Sequence, residues 1–365
     1  MENSDGFKYA QVFASQSNYT ITQYINDISN IYKSGTGYPD IYAFSLFFWL
    51  GLFTNNPQIF HLVTAAVYFT VMVNLVGSVY DTSSKGTSKP VIWFLIGLIF
   101  VINLSSGMNG VRWPLAMMLF LFGSFKVVTT GKIKYMFLAG ATIFVHFILL
   151  YAFIFLLFYY FTYKYYNPIY AYIFLIVVLL ATTFLTQFIQ QNAFVFGEAY
   201  EEKIIGFATN ESYKASREDH LIDLHWYIQF DRYSTYFFAA FSLILIALLK
   251  RKFKFNQTAK QLEYFAFLML GASVISGALV DVTSNRYYLL ANATTLIFLY
   301  YLSSINSKNK IFTWLKVIYI PIVILHIFIM FRSDLYTISP FLVFGNPILI
   351  LFLDTKDSIQ SIITG

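Results

Sequence analysis

The sequence predicts an all-α, polytopic membrane bundle of about 10–11 transmembrane helices with an external helical loop or cap. Three observations carry this. The chain is 58% hydrophobic and 12% charged, whereas a soluble globular domain holds about 25% charged residues. Apolar stretches near the ~20 residues that cross a bilayer recur along it. The cations, 18 lysines and six arginines, are divided between two sets of links. Lys85, Lys89, Lys126, Lys132, Lys134, Lys164, Lys250, Lys252, Lys254, Lys260, Lys308, Lys310 and Lys316, with Arg251, occupy one set. Arg112, Arg217, Arg232, Arg286 and Arg332 fall in or beside the other. Lysine-rich short links mark the cytoplasmic side. Arginines opposite need another cause, and planar, permanently charged guanidiniums suit phosphate or diphosphate.

Four segments follow in order. Residues 1–56 form an external N-terminal segment with an interfacial or partly embedded helix, Ile41–Phe53, after the Gly37-Tyr38-Pro39-Asp40 turn. No basic region followed by an apolar stretch opens the chain, so no signal peptide is expected. An external hydrophilic tail without a preceding span is unusual, and a native first helix is expected to be missing. Residues 57–189 form the N-terminal transmembrane half, with spans near 58–80, 90–106, 112–128, 134–163 and 168–189. Residues 190–226 are an external loop of mixed charge. Residues 227–365 are the C-terminal half, with spans near 227–249, 261–282, 286–305, 312–331 and 337–353.

Charge orients the links. The lysine links lie inside, and Ser105–Arg112, Asp281–Arg286 and Arg332–Asp334 lie outside. The two halves agree only if 134–163 crosses twice, as two short or bent passes turning outside beyond His146. One long tilted helix is the alternative.

Several residues are candidates for chemistry. Arg112 begins a helix in Gly110-Val-Arg-Trp-Pro, and Pro114 suits a first turn. A helix N-terminus adds free N–H groups and partial positive charge, which makes an anion seat; the bland reading is a snorkelling anchor. His146 lies inside the apolar run Ile143–Leu150, where an ionisable group is a functional hypothesis or a packed, hydrogen-bonded residue. It is nearly the only such group at that depth. Arg286 follows Asp281, Arg332 precedes Asp334, and Arg232 follows Asp231. Each pair reads as a structural ion pair or, taken together, as a convergent diphosphate site. His220, His225 and Asp223 could bind a metal or supply a base, but an exposed loop explains them without either, and no metal or other cofactor is expected. The chain has no cysteine, which excludes disulfides and thiolate chemistry. No Walker loop, dinucleotide fingerprint, Gly-x-Ser-x-Gly elbow or His-Glu-x-x-His is present. The net charge of +6 comes mainly from the lysine links and does not argue for nucleic acid.

The order of short motifs is similar to that of a known family. Asp5-x-x-x-Tyr9 precedes the Gly37–Asp40 turn, then Arg112-x-x-x-Ala116, the helix carrying His146, Asn285-Arg286-Tyr287-Tyr288 and Asn346-Pro347. This resembles the EpsG-type branch of Wzy-like polysaccharide polymerases. Trp113 stands where that family commonly has Gln. The resemblance implies a GT-C-like glycosyltransferase of the bacterial inner (cytoplasmic) membrane, its active site facing the periplasm or exterior. Such enzymes polymerise undecaprenyl-diphosphate-linked repeat units without nucleotide sugar or metal, in contact with membrane lipid and with a chain-length regulator as a candidate partner. It implies His146, Arg112 and Arg286 in catalysis, and Arg332, Arg217, Arg232, Asp281, Asp5, Tyr9 and His220 in substrate binding. A glycan ligase shares this logic with another acceptor. A transporter or flippase of lipid-linked sugars is expected to show repeats and a polar mid-membrane path, and neither is evident.

Overall fold

The computed structural model describes residues 5–15, 19–30, 41–84, 91–102, 111–163, 226–279 and 281–337, with four isolated positions at 173, 176, 177 and 180. Arg217, His220 and nearly all of the external loop lie outside these residues, as do most of the spans expected at 168–189 and 337–353.

Every regular element among the described residues is helical. They are α1 (Asp5–Ser15), α2 (Ile21–Asn30), α3 (Ile41–Gly51), α4 (Pro57–Ser84), α5 (Ile92–Ile99), α6 (Trp113–Thr130), α7 (Lys134–Val145), α8 (Leu149–Thr162), α9 (Trp226–Leu248), α10 (Gln257–Leu279), α11 (Asp281–Ile305) and α12 (Lys310–Thr337). Four stretches among them, 57–83, 113–130, 286–305 and 310–332, are long and apolar enough to cross a membrane. Helices α9 and α10 cover most of the stretches expected to span at 227–249 and 261–282, but neither is among the four that are long and apolar enough to cross a membrane. The helix expected at Ile41–Phe53 forms as α3 and ends at Gly51.

Packing runs opposite to hydropathy. α11 packs along α10 and also touches α4, α5, α6 and α9, and 83% of its apolar stretch is buried; α4 and α12, both more apolar, are only 22% buried. Lipid is as apolar as leucine, so burying greasy faces gives no advantage, and helices approach through small and polar residues. On α11 these are Ala291, Asn292, Ala293, Thr294, Thr295, Ser303 and Ser304, all buried. Their hydroxyls return to the helix itself: Thr294 and Thr295 donate to Leu290 and Ala291 carbonyls at 3.0 and 2.8 Å. Such back-bonding lets a hydroxyl sit in a dry interface. Ser303 also accepts from the Val91 N–H at 3.1 Å, which ties the start of α5 to α11. Small Gly97 brings α5 onto α12: a Cβ there would lie 1.8 Å from the Tyr319 hydroxyl.

The stretch expected to cross twice is broken. α7 ends at His146, whose backbone is extended at φ −154°, ψ 110°, and α8 begins three residues later. The two helices fold back on each other. The Gly140 Cβ position meets the Phe153 ring at 3.1 Å, and that of Gly131 lies 3.6 Å from the Tyr163 hydroxyl. Both pairs straddle residues 146–147, as in an antiparallel hairpin. With 12 and 14 residues, its arms reach about 18–21 Å, short of the ~30 Å hydrocarbon core. The tip therefore carries His146.

The division of cations becomes a division of ends. At one end, Asn306 bonds both backbone groups of Lys254, at 2.7 and 2.9 Å. There Asn309 donates to the Lys252 carbonyl at 3.0 Å and Lys250 pairs with Glu263 at 2.6 Å. At the other end lie Arg112, Arg286 and Arg332, with the hairpin tip.

Candidate active site

His146, Arg286 and Trp113 meet at the hairpin tip. Arg286 is in the first turns of α11, beside Tyr287, whose buried hydroxyl donates to the Ile148 carbonyl. That bond, and the edge contact of the Tyr151 and Tyr287 rings at 5.1 Å, fasten α11 to the tip. Arg286 Nη1 then lies 3.0 Å from His146 Nε2. A guanidinium only donates, so Nε2 accepts and the ring is neutral with its proton on Nδ1. The Ile148 N–H approaches Nδ1 at 3.4 Å, which favours the opposite tautomer. The shorter bond from a charged donor is the stronger and sets the proton. Trp113, first residue of α6, completes the cluster: the Arg286 guanidinium carbon sits 5.4 Å from its ring centre, and the His146 ring meets it edge-on at 5.7 Å. All three side chains are half-buried, so a ligand can reach them.

Arg112 adjoins this cluster through the chain. It is the N-cap of α6, with no side-chain cap bond and Pro114 in the first turn. Its guanidinium lies 5.4 Å over the Tyr9 ring. Tyr9 is buried with Phe13, Phe47, Phe60 and Val111, so α1 and α3 brace Arg112 from the N-terminal side. The sequence-predicted Tyr9, Arg112, His146 and Arg286 thus fall at one end of the bundle as two contacting pairs.

The remaining candidates divide. Arg332 lies 5.3 Å over the Tyr227 ring, joining α12 to α9, and Arg232 is half-buried on α9. Asp5 opens α1 and Asp281 opens α11, but their side chains are outside the described part. So are Arg217 and His220.

Sequence reasoning missed one buried pair. The carboxylate of Asp231 on α9 is paired with α12: it lies 2.8 and 3.1 Å from His326 Nδ1. His326 Nε2 lies 3.0 Å from the Phe100 carbonyl, the C-cap of α5. A carbonyl only accepts, so Nε2 carries a proton. Both side chains are buried. His146 is therefore not nearly alone at depth. The signal was available, since His326 interrupts the apolar run Ile322–Ile329 much as His146 interrupts its own.

A bundle of apolar helices with buried hydroxyls, a short broken hairpin and arginines gathered at one end defines a polytopic helical membrane protein with a cation-rich site at one mouth. The chain matches the EpsG family over residues 2–343; it belongs to that family, and membership supports a polysaccharide polymerase role in general terms. Neither curated proteins nor solved structures gave a match.

Proposed function

We propose that this protein polymerises undecaprenyl-diphosphate-linked oligosaccharide repeat units at the outer leaflet of the bacterial inner membrane, as a GT-C-like glycosyltransferase that needs no metal. The observation that carries the reading is the 3.0 Å contact of Arg286 with His146 at the tip of a membrane hairpin. It joins an anion receptor to a nitrogen base.

In the proposed reaction the bond between the anomeric carbon and the diphosphate oxygen breaks, and the leaving lipid diphosphate takes the electron pair. Arg112, the N-terminus of α6 and Arg286 stabilise that developing charge. The acceptor hydroxyl oxygen forms the new bond to the anomeric carbon, and its proton passes to His146 Nε2. Arg332 and Arg232 bind the substrate further out on α12 and α9, with Tyr9 orienting Arg112. Asp5, Asp281, Arg217 and His220 belong to the same proposal as further substrate contacts.

The test uses the purified chain in nanodiscs with a lipid-diphosphate-linked repeat unit and EDTA. A ladder of longer glycans with release of undecaprenyl diphosphate is expected. Transfer to a different acceptor without a ladder would make it a ligase. Substrate crossing a vesicle membrane with no new glycosidic bond would replace the enzyme with a transporter.

A further inference from the structure

We propose that Trp113 is the positioning residue of this site, holding Arg286 against His146 until a diphosphate draws the guanidinium off its ring. The inference rests on the diphosphate seat proposed above and adds how that seat is coupled to the base.

Three contacts close a triangle. Arg286 faces the Trp113 indole at 5.4 Å, within the ~6 Å over which an aromatic face attracts a cation. The His146 ring abuts the same indole edge-on at 5.7 Å, and Arg286 donates to His146 Nε2 at 3.0 Å. The indole itself is well anchored. Trp113 opens α6, where Pro114 presets the helical φ and the next four residues, Leu115 to Met118, are buried. Arg286 extends from α11, the most buried helix of the bundle among the apolar four. Two rigid helices therefore bring an arginine, an indole and an imidazole to one point.

This arrangement has a chemical consequence. While Arg286 donates to Nε2, that nitrogen's lone pair is occupied and cannot receive a hydroxyl proton. The Arg286–His146 bond is charged on the donor side only, whereas a diphosphate is charged as well and can take two parallel N–H groups of the guanidinium fork at once. The guanidinium therefore transfers to the anion when one arrives. Nε2 is then exposed only when a donor substrate is in place. His146 stays oriented by its remaining edge contact with Trp113. The base is thereby kept from acting before the leaving group is held.

Trp113 fluorescence tests this directly. The full chain in nanodiscs is titrated with geranylgeranyl diphosphate or with inorganic pyrophosphate, and emission is taken as wild type minus Trp113→Phe. Binding is measured in parallel with radiolabelled ligand. A saturable change in the Trp113 difference signal that tracks binding is expected, and it should be absent in Arg286→Lys. A response to pyrophosphate alone at similar concentration assigns the seat to the diphosphate group. A response requiring the prenyl form assigns it to the lipid headgroup. In polymerisation assays, Trp113→Leu should lower kcat about 2- to 12-fold, the worth of the edge-on aromatic contact that keeps His146 oriented once Arg286 has moved, with KM unchanged or lower. Trp113→Tyr, which keeps an aromatic face, should recover most of the loss. Binding with an unmoved Trp113 signal would overturn the coupling and leave the proposed function standing. No binding of either diphosphate would overturn both.

Discussion

Asp231→Leu should be among the most destabilising single changes in the bundle, and removing its partner as well should partly repair it. Asp231 and His326 are each under a tenth exposed, and their polar atoms lie 2.8 Å apart between α9 and α12. Deleting one member of a buried pair costs about 3–5 kcal/mol, because the other is left without its counterpart. That is about two to three-and-a-half powers of ten in the folding equilibrium. Replacing both by apolar residues removes the stranded group, and a buried pair exchanged for packed hydrophobes is often close to neutral. One penalty remains in Asp231→Leu/His326→Leu, since the Phe100 carbonyl loses its donor at a cost of about 1–3 kcal/mol. The double variant should therefore be more stable than Asp231→Leu alone. Unfolding by SDS in mixed micelles, followed by near-ultraviolet circular dichroism, gives the comparison. A single-variant cost under about 1 kcal/mol would refute the paired, buried arrangement, and so would simple additivity of the two changes.

Other outcomes follow from the same packing and charge. Gly97→Ala should lower the unfolding midpoint in the same SDS titration by the equivalent of about 1–3 kcal/mol of overpacking, because the new Cβ meets Tyr319, itself stacked on Phe238 at 4.5 Å. Adding Tyr319→Phe, which removes the atom nearest the new methyl, should restore part of that loss. Arg286→Lys should reduce polymerisation about 10²-fold or more, the usual cost of one transition-state donor, while the chain still elutes as a folded species on gel filtration. Lysine keeps the charge and loses the planar fork. Lys308→Ala, on the exposed lysine end, should leave both activity and stability within about 0.5 kcal/mol of wild type.

Charge partition was legible because it is written in the links. The lysine links and the arginine-bearing links needed no tertiary information, and among the described residues the structure places them at opposite ends. That the 134–163 stretch breaks was legible from its length, too long for one pass and too short for two full ones; the place of the break was not, since the turn was expected beyond His146 and begins at His146 itself. What lies inside the bundle was not legible. Hydropathy ranks α4 and α12 above α11, yet α11 is the central helix, because small and polar residues rather than greasy ones mediate approach within a membrane. Trp113 stood out only as a departure from the family's usual Gln. Its role as a platform depends on Arg286, which is distant in sequence and comes from another helix. The pair escaped because Asp231 reads in sequence as a neighbour of Arg232, and nothing local to His326 points to a partner. Their partnership exists only once α9 and α12 pack antiparallel.

The most direct test of the central claim is a double-substitution cycle on catalysis. The single-turnover rate of glycan extension would be measured for wild type, Arg286→Lys, His146→Ala and the combined variant, in nanodiscs with saturating lipid-diphosphate substrate. If the two residues act as one unit, the combined loss will be no greater than the larger single loss. Losses that multiply independently, or a His146→Ala protein that extends glycan at the wild-type rate, would contradict the account.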